Sequence, residues 1–388
     1  MITPTRPRSL LFITTSLDVG GAQMMLVRLL TGLDRSRFSP TVISLVGPGP
    51  VQAAIEGLGI PVYSLGMPRG IPHPGALVKL VTWLWRNRPD VIQTWMYHAD
   101  LLGGIAAKFV GGIPVAWGIR QSNLNPHASS QLTIRTMQMC AYMSKWVPTR
   151  IVCCSEASRQ VHANLGYAAE KMVVIPNGLD LSLFKPDSAV RQSVRADLQI
   201  PEQALVIGLV GRFDPQKDHQ TFVRAASLLH SIRPDVHFLL CGDGMTWDNE
   251  DLRDWIEESG IRTQCRLLGR RDDIARLTAA LDIASSSSSF GEGFPNVIAE
   301  AMSCGVPCVA TDVGDSARIV GETGRVVPPQ NSEALSAAWC DLIGLGREGR
   351  NQLGASARQR IKEHFDLPDI VVRYQNLYQE LAGHASAS

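Results

Sequence analysis

The sequence has no stretch of about 20 uninterrupted apolar residues, so it carries no membrane-spanning helix pattern. Its first apolar run, Leu10–Thr15, is too short for a secretory h-region and enters a Gly-rich turn at once. That run reads as a first β-strand, and the expected compartment is the cytoplasm. No Cys/His group has the double-pair spacing of a zinc site. The eight cysteines, among them the adjacent Cys153 and Cys154 and the pair Cys304 and Cys308, read as small buried apolar side chains. Low complexity is confined to a short Ser run, and a composition of 45% hydrophobic and 19% charged residues excludes disorder. Net charge is also scarce, at +1, but it is unevenly placed. Residues 1–180 hold 16 Lys and Arg against 8 Asp and Glu, leaving 21 against 28 in residues 181–388. The asymmetry points the first half toward something anionic: nucleic acid, an anionic membrane surface or a phosphate-bearing substrate. Chance scatter of surface charge is the bland alternative. The basic residues are dispersed without an aromatic-interleaved patch, which argues against nucleic acid.

A chain of 388 residues is too long for one ordinary core and suggests two domains. Short β-branched or apolar runs recur at Leu10–Thr15, Thr41–Val46, Pro61–Leu65, Val91–Thr94, Pro114–Trp117, Ile151–Cys154 and Met172–Ile175. They restart at Leu205–Val210, Val236–Cys241, Cys265–Leu268, Ile283–Ser285, Pro307–Ala310 and Arg325–Val327. Helical patterns separate them, such as Ala22 to Leu33 with Met25, Leu26, Leu29, Leu30 and Leu33 on one face. The alternation predicts an α/β protein with two Rossmann-like, doubly wound parallel sheets facing a central cleft. The break falls near Pro176-Asn177-Gly178, giving an N-terminal domain over 1–180 and a C-terminal domain over 181–365. A last amphipathic helix, 366–388, is free by its pattern to pack on either domain, including a return to the first.

Four stretches can carry chemistry. In Ser289 to Glu300 a strand ends in the Ser run, a Gly-rich turn follows, and a helix starts near Pro295. Amides at Gly293 to Val297 then form an anion site suited to a diphosphate. Glu292 lies just before that site and Glu300 one to two turns into the helix, so the two carboxylates contact different parts of one extended ligand. The alternative for Glu292 is an acidic residue favoured by the helix dipole. In Gly211-Arg212-Phe213-Asp214-Pro215-Gln216-Lys217-Asp218, Arg212 and Lys217 sit at a strand's carboxyl end, where they neutralise a diphosphate leaving group. The alternative is a solvated loop with Asp218 as a cap. Gly20-Gly21 after the first strand lets backbone amides approach a phosphate or sugar closely, or is just a turn. In Trp95 to Asp100, and in Trp117 to Ser122, His98 and Arg120 end adjacent strands. His98 suits an acceptor hydroxyl and Arg120 an acceptor phosphate; a satisfied His at a helix cap is the alternative.

Together these motifs resemble the large GT-B glycosyltransferase family conventionally numbered four. The resemblance runs in order through Gly-Gly-Ala-Gln at 20–23, Ser155-Glu156, Ile175 to Asp180, Gly211-Arg212 with Lys217, Cys241 to Gly244 and Leu268-Gly269. It is most specific from Glu292 through Glu300-Ala301-Met302 to Cys304-Gly305-Val306-Pro307. It implies a retaining enzyme that moves a sugar from a nucleotide-diphosphate sugar, UDP- or GDP-linked, without a metal or other cofactor; no Asp-x-Asp motif stands in a suitable place. It implies Arg212 and Lys217 as the diphosphate clamp, and Glu292 at the donor sugar's hydroxyls. Phe294, Pro295, Asn296 and Val297 match the backbone cradle, Glu300 the ribose contact, and Gly20-Gly21 the loop closing over the donor. Many members carry His where this chain has Arg120, so His98 and Arg120 stand as joint acceptor candidates. Arg120 and the basic first half favour a glycan or polyprenyl-diphosphate-linked acceptor at the inner membrane face, in surface polysaccharide or glycolipid assembly, with the enzyme peripheral on that surface.

A dehydrogenase is excluded, because the first turn, Asp18-Val19-Gly20-Gly21-Ala22-Gln23, fails the Gly-x-Gly-x-x-Gly spacing. A sugar-nucleotide 2-epimerase of the same architecture, or a non-catalytic protein retaining the fold, are the remaining alternatives.

Overall fold

The computed structural model of the chain describes residues 6–68, 74–122 and 130–385. The chain divides into two units, Met1–Gly178 with Leu367–Ser388, and Leu179–Asp366.

The first unit runs β1 (Arg8–Thr14), α1 (Gly21–Gly32), β2 (Phe38–Ser44), α2 (Gln52–Glu56), β3 (Val62–Ser64), α3 (Pro74–Asn87), β4 (Val91–Trp95) and α4 (Tyr97–Val110). It continues through β5 (Val115–Ile119), α5 (Gln131–Met143), β6 (Arg150–Cys153), α6 (Glu156–Asn164) and β7 (Met172–Val174). All pairs are parallel, in the order β3-β2-β1-β4-β5-β6-β7. Side chains of a strand alternate between faces, so each strand feeds two cores. Leu10 and Phe12 pack with α1, while Leu11 and Ile13 pack with α3, α4 and α5.

The second unit runs α7 (Ser188–Asp197), β8 (Leu205–Val210), α8 (His219–Ile232), β9 (Val236–Cys241), α9 (Glu250–Glu258), β10 (Cys265–Leu267) and α10 (Ile274–Ala279). It continues through β11 (Ile283–Ser286), α11 (Asn296–Ser303), β12 (Cys308–Thr311), α12 (Ser316–Val320), β13 (Arg325–Val327), α13 (Ser332–Gly344) and α14 (Gly346–His364). Its sheet is again parallel, ordered β10-β9-β8-β11-β12-β13. Both orders reverse once, between β1 and β4 and between β8 and β11. In such sheets the loops at the carboxyl ends of the strands flanking the reversal open a crevice that binds ligands.

The chain leaves the first unit after Gly178, two residues before the expected limit. The reason is backbone pairing: the Leu179 amide donates to the Phe365 carbonyl at 2.8 Å, and Leu179 bridges to Asp366. The last helix, α15 (Leu367–Ala385), belongs to the first unit. Its Ile370, Tyr374, Tyr378 and Leu381 complete the core around Leu10 and Phe12, and the Tyr378 ring meets Phe12 edge-on at 5.9 Å. All eight cysteines are free and seven are buried; burial pushes the Cys265 and Cys304 thiols up to about 12. Among the described residues no helix is long and apolar enough to cross a membrane.

Gly178 is where the outgoing and returning segments meet. A Cβ there would lie 2.9 Å from Leu367 Cα and 3.2 Å from Ile370 Cβ. Gly178→Ala is expected to cost about 1–3 kcal/mol, as overpacking does, and to lower the melting temperature by several degrees. An unchanged melting temperature would show that these segments are not in close contact.

Candidate active site

In the second unit β8 is followed by Gly211-Arg212, and Asp214 accepts the Gln216 amide at 2.9 Å, starting a single 3-10 turn over Pro215–Lys217. Asp218 follows in the left-handed region (φ 48°) and caps α8, accepting from the Thr221 amide and hydroxyl. This tight reversal turns Lys217 back across the sheet's switch point. Its Nζ meets Glu292 Oε1 at 2.5 Å, with both side chains largely buried. The Ser288 hydroxyl donates to the same oxygen at 2.7 Å. The pair joins the loops after β8 and β11, the two strands flanking the reversal.

Those loops are also tied through their backbones. The Ser287 hydroxyl donates to the Lys217 carbonyl at 2.7 Å, the Ser289 amide to the Gln216 carbonyl at 2.9 Å, and the Thr311 hydroxyl to the Ser288 carbonyl at 2.6 Å. Two glycines press from outside. A Cβ on Gly314 (φ +63°) would stand 2.2 Å from the Glu292 carbonyl oxygen. On Gly242 it would stand 2.0 Å from that of Gly211. Neither position admits a side chain without displacing the turn that carries Glu292 or Arg212.

Arg212 is mostly exposed and its Nε donates to Asp214 Oδ2 at 2.9 Å. Burial pushes the Asp214 pKa up, but the Gln216 amide and the Arg212 guanidinium outweigh it and hold it below the usual carboxylate range. Arg212 and Lys217 therefore rise from one turn onto different carboxylates. After Glu292, Pro295 takes the N-cap position of α11 rather than its first turn, and offers no side-chain acceptor to the amides that follow. The Phe294 ring is buried and packs on Phe365 at 5.4 Å. Asn296 and Val297 open the helix, and Glu300, half-buried, lies four residues beyond Asn296, about 6 Å along the axis.

In the first unit Gly20 stands extended at the N-cap of α1, again without a side-chain cap, with Gly21 the first helical residue. The Trp95 indole donates to the Ala22 carbonyl at 2.9 Å and locks this turn to the end of β4. Met96 then takes a positive φ of 77°, an uncommon conformation for a side-chain-bearing residue and one that concentrates at functional sites. His98 follows, half-buried; burial lowers its pKa, leaving a neutral imidazole with one donor and one acceptor at pH 7. Asp100, fully buried, accepts from the Thr94 hydroxyl at 2.5 Å and the Gly118 amide at 3.0 Å, fixing the ends of β4 and β5. Burial raises its pKa to about 7 against those two hydrogen bonds.

Arg120 is engaged inside this unit. Its guanidinium lies over the Trp95 ring at 4.2 Å and donates to the Tyr374 hydroxyl at 3.0 Å and to Asn177 Oδ1. The structure thus gathers Lys217 with Glu292, places Arg212 one turn away on Asp214, and sets Gly20, Gly21 and His98 at the first sheet's switch point. Sequence reasoning missed the Ser287–Ser289 tie, the Gly314 and Gly242 contacts, and the partners of Arg120. The Ser run was visible, and its position at a strand end was the available signal.

Two family models match, glycosyl transferases group 1 over residues 204–344 and glycosyltransferase family 4 over residues 19–183. The UDP-Gal:alpha-D-GlcNAc-diphosphoundecaprenol alpha-1,3-galactosyltransferase of Escherichia coli is 26% identical over 79% of this chain and 79% of its own. The phosphatidyl-myo-inositol mannosyltransferase of Mycolicibacterium smegmatis is 26% identical over 95% of this chain and 92% of its own. Among solved structures, Anabaena HepE in complex with UDP superposes with a TM-score of 0.84 at 25% identity, covering 96% of this chain and 100% of that one. A parallel sheet in each unit, loops joined at the switch point, and matches across both units lead to one conclusion: the chain is a GT-B glycosyltransferase of the family 4, group 1 type.

Proposed function

We propose that this enzyme moves a sugar from a UDP- or GDP-sugar to a lipid-linked or glycan acceptor, with retention at the anomeric carbon, in surface polysaccharide or glycolipid assembly. The observation that carries the reading is the buried Lys217–Glu292 pair at the second sheet's switch point. In this pair each charge satisfies the other. With donor, the diphosphate takes Lys217 and Arg212 together with the first amides of α11, and Glu292 turns to the sugar's hydroxyls. Glu300, deeper in α11, holds the ribose.

As the bond from anomeric carbon to phosphate oxygen lengthens, negative charge grows on the leaving diphosphate. Lys217 and Arg212 stabilise that charge where it develops. The acceptor hydroxyl attacks from the same face and passes its proton to the departing phosphate oxygen. Glu292 Oε1 already accepts from Lys217 and Ser288, which suits a binding role better than that of a base. Positive charge comes from side chains, and the reaction is proposed to need no metal. In the first unit neutral His98 receives the acceptor hydroxyl, and the uncapped amides at Gly20-Gly21, at the start of α1, suit a phosphate or sugar oxygen. Arg120, pinned by Trp95, Asn177 and Tyr374, supports this acceptor surface by holding the end of β5.

Similar proteins support the substrate classes. The E. coli relative is named for UDP-Gal and a diphosphoundecaprenol acceptor, the mycobacterial one for phosphatidyl-myo-inositol, and HepE structures hold UDP or UDP-glucose. A UDP-sugar is the first donor to test, and the enzyme is proposed to work in the cytoplasm, peripheral on the inner membrane face.

Nucleotide release, followed with a lipid-linked acceptor extract, tests the assignments. Lys217→Ala is expected to lower turnover by about 10²- to 10³-fold, the usual loss when one transition-state donor is removed. Glu300→Ala is expected to raise the donor KM with little change in kcat. Near-normal turnover in Lys217→Ala would show the diphosphate clamp to be misassigned.

A further inference from the structure

The amino ends of the second sheet's strands, opposite the Lys217–Glu292 pair, carry a second group of charged side chains. Asp282 stands just before β11, and its Oδ2 accepts the amide of Val206 in β8 at 2.8 Å. Two guanidiniums meet this carboxylate, Arg191 at 2.7 Å and Arg195 at 2.6 Å. Both lie on α7, four residues apart and so on one face. Arg195 is buried and donates also to the carbonyls of Ala280, Glu202 and Ala204. Each of its three nitrogens has an acceptor, and it ties α7 to the sheet. Arg191 is half-buried and donates through Nη1 to the Ala280 and Leu281 carbonyls.

Arg347 and Arg350 have no such task. Gly346, with a positive φ of 68°, marks the junction of α13 and α14. Beyond it α14 sets Arg347, Arg350 and Asn351 on one face, at spacings of three and four residues. Arg350 is buried, yet it donates through Nη1 alone, to the Leu342 carbonyl at 3.4 Å and the Ile343 carbonyl at 3.1 Å. Arg347 is exposed and has no hydrogen-bond or carboxylate partner among the described residues. A cavity of about 200 Å³ lies here, with Arg191 of α7 and Arg347, Arg350 and Asn351 of α14 on its walls. A second cavity, of about 280 Å³, shares Arg191, Asp282, Arg347 and Arg350 with it. Together they reach the size of small-ligand pockets.

The acids on these walls are largely engaged. Asp282 holds Arg191 and Arg195, and Asp187 caps α7 by accepting the Val190 amide at 3.0 Å. Asp235 holds Arg233 with both oxygens, at 2.8 and 2.6 Å. Glu202 lines the larger cavity alone, and Glu348, beside Arg347 in the chain, lines neither. Burial lowers the Arg350 pKa; Asp282 opposes this, while Arg191, Arg233 and Arg347 add to it. In the smaller cavity both carboxylates already have partners, so it offers little to a cation. Donors on Arg347 and Arg350 remain for an anion.

We propose that the wall shared by these cavities is a second anion site, which takes a small phosphate-bearing metabolite with its phosphate on Arg191, Arg347 and Arg350. Guanidinium forks match phosphate oxygens in geometry and charge. Asn351 adds an amide at the edge, and the rest of the ligand lies in the adjoining cavity. The site is at the amino ends of the strands and the proposed donor site is at their carboxyl ends, so both can be filled at once.

Isothermal titration of the full chain with inorganic diphosphate and with glucose 1-phosphate tests this. It is run on the Lys217→Gln variant, which loses the charge of the donor clamp, and on the wild-type chain with excess UDP. At least one probe is expected to bind in both settings, and glucose is expected not to bind. The tighter probe tells a free polyphosphate from a sugar phosphate, and either supports the site. Arg347→Ser is expected to weaken binding about 10- to 100-fold, as loss of one hydrogen bond to a charged group does, and Arg347→Glu to abolish it. Arg224→Ser removes an exposed Arg of α8 outside both cavities and is expected to change nothing. Without probe all three Arg variants should melt like their parent; with it the melting temperature should rise in Arg224→Ser and not in Arg347→Glu. No binding in either setting, or binding indifferent to Arg347, would overturn the proposal. An equal loss in Arg224→Ser would do so too, since it would mark a general effect of charge.

Discussion

The ion pair between Lys217 and Glu292 is the constraint around which the second unit is arranged. A buried pair is a poor stabilising device, since desolvating two charges offsets most of their attraction, and a well-packed apolar pair often does as well. Here the pair is reinforced. Ser288 adds a hydrogen bond to the carboxylate, and Ser287 and Ser289 fix the Lys217 turn through its backbone. The arrangement holds two opposite charges ready at a crevice, where a ligand carrying both phosphates and hydroxyls can take each in turn.

That preorganisation depends on close approach of backbones. Gly314 lies against the Glu292 carbonyl and Gly242 against Gly211, each with a positive φ. The loops after β9 and β12 therefore brace the loops after β8 and β11. In the first unit the same task falls to side chains: the Trp95 indole holds the α1 turn, and Asp100 ties β4 to β5. Arg120 stacks on Trp95 while bonding to Asn177 just before the chain leaves the unit and to Tyr374 just after it returns. It thereby joins the end of β5 to the segments that leave and re-enter the first unit.

The strands were legible because their signal is local. All thirteen expected runs are strands, with ends within three residues of those expected. Gly211 to Lys217 and Glu292 to Glu300 were legible as site segments because a strand end, a Gly-rich turn and a helix start lie together in sequence. What joins them was not legible. Lys217 and Glu292 are 75 residues apart, and no periodicity reports which of two cations will reach a given carboxylate. The same holds for Arg120, whose partners are 57 and 254 residues away. The last helix showed its apolar face plainly, but an apolar stripe does not name its partner; only the uncovered side of the first sheet, with Leu10 and Phe12, does so.

In the proposed reaction the second unit's switch point releases a nucleoside diphosphate while the sugar keeps its anomeric configuration. Proton NMR of the first-formed product, with UDP-glucose or UDP-galactose as donor and a lipid-linked acceptor extract, reads this directly. Retention gives the small anomeric coupling of an α-linked sugar with wild-type enzyme, and no such signal is expected with Lys217→Ala. A large diaxial coupling, marking a β-linked product, would contradict it.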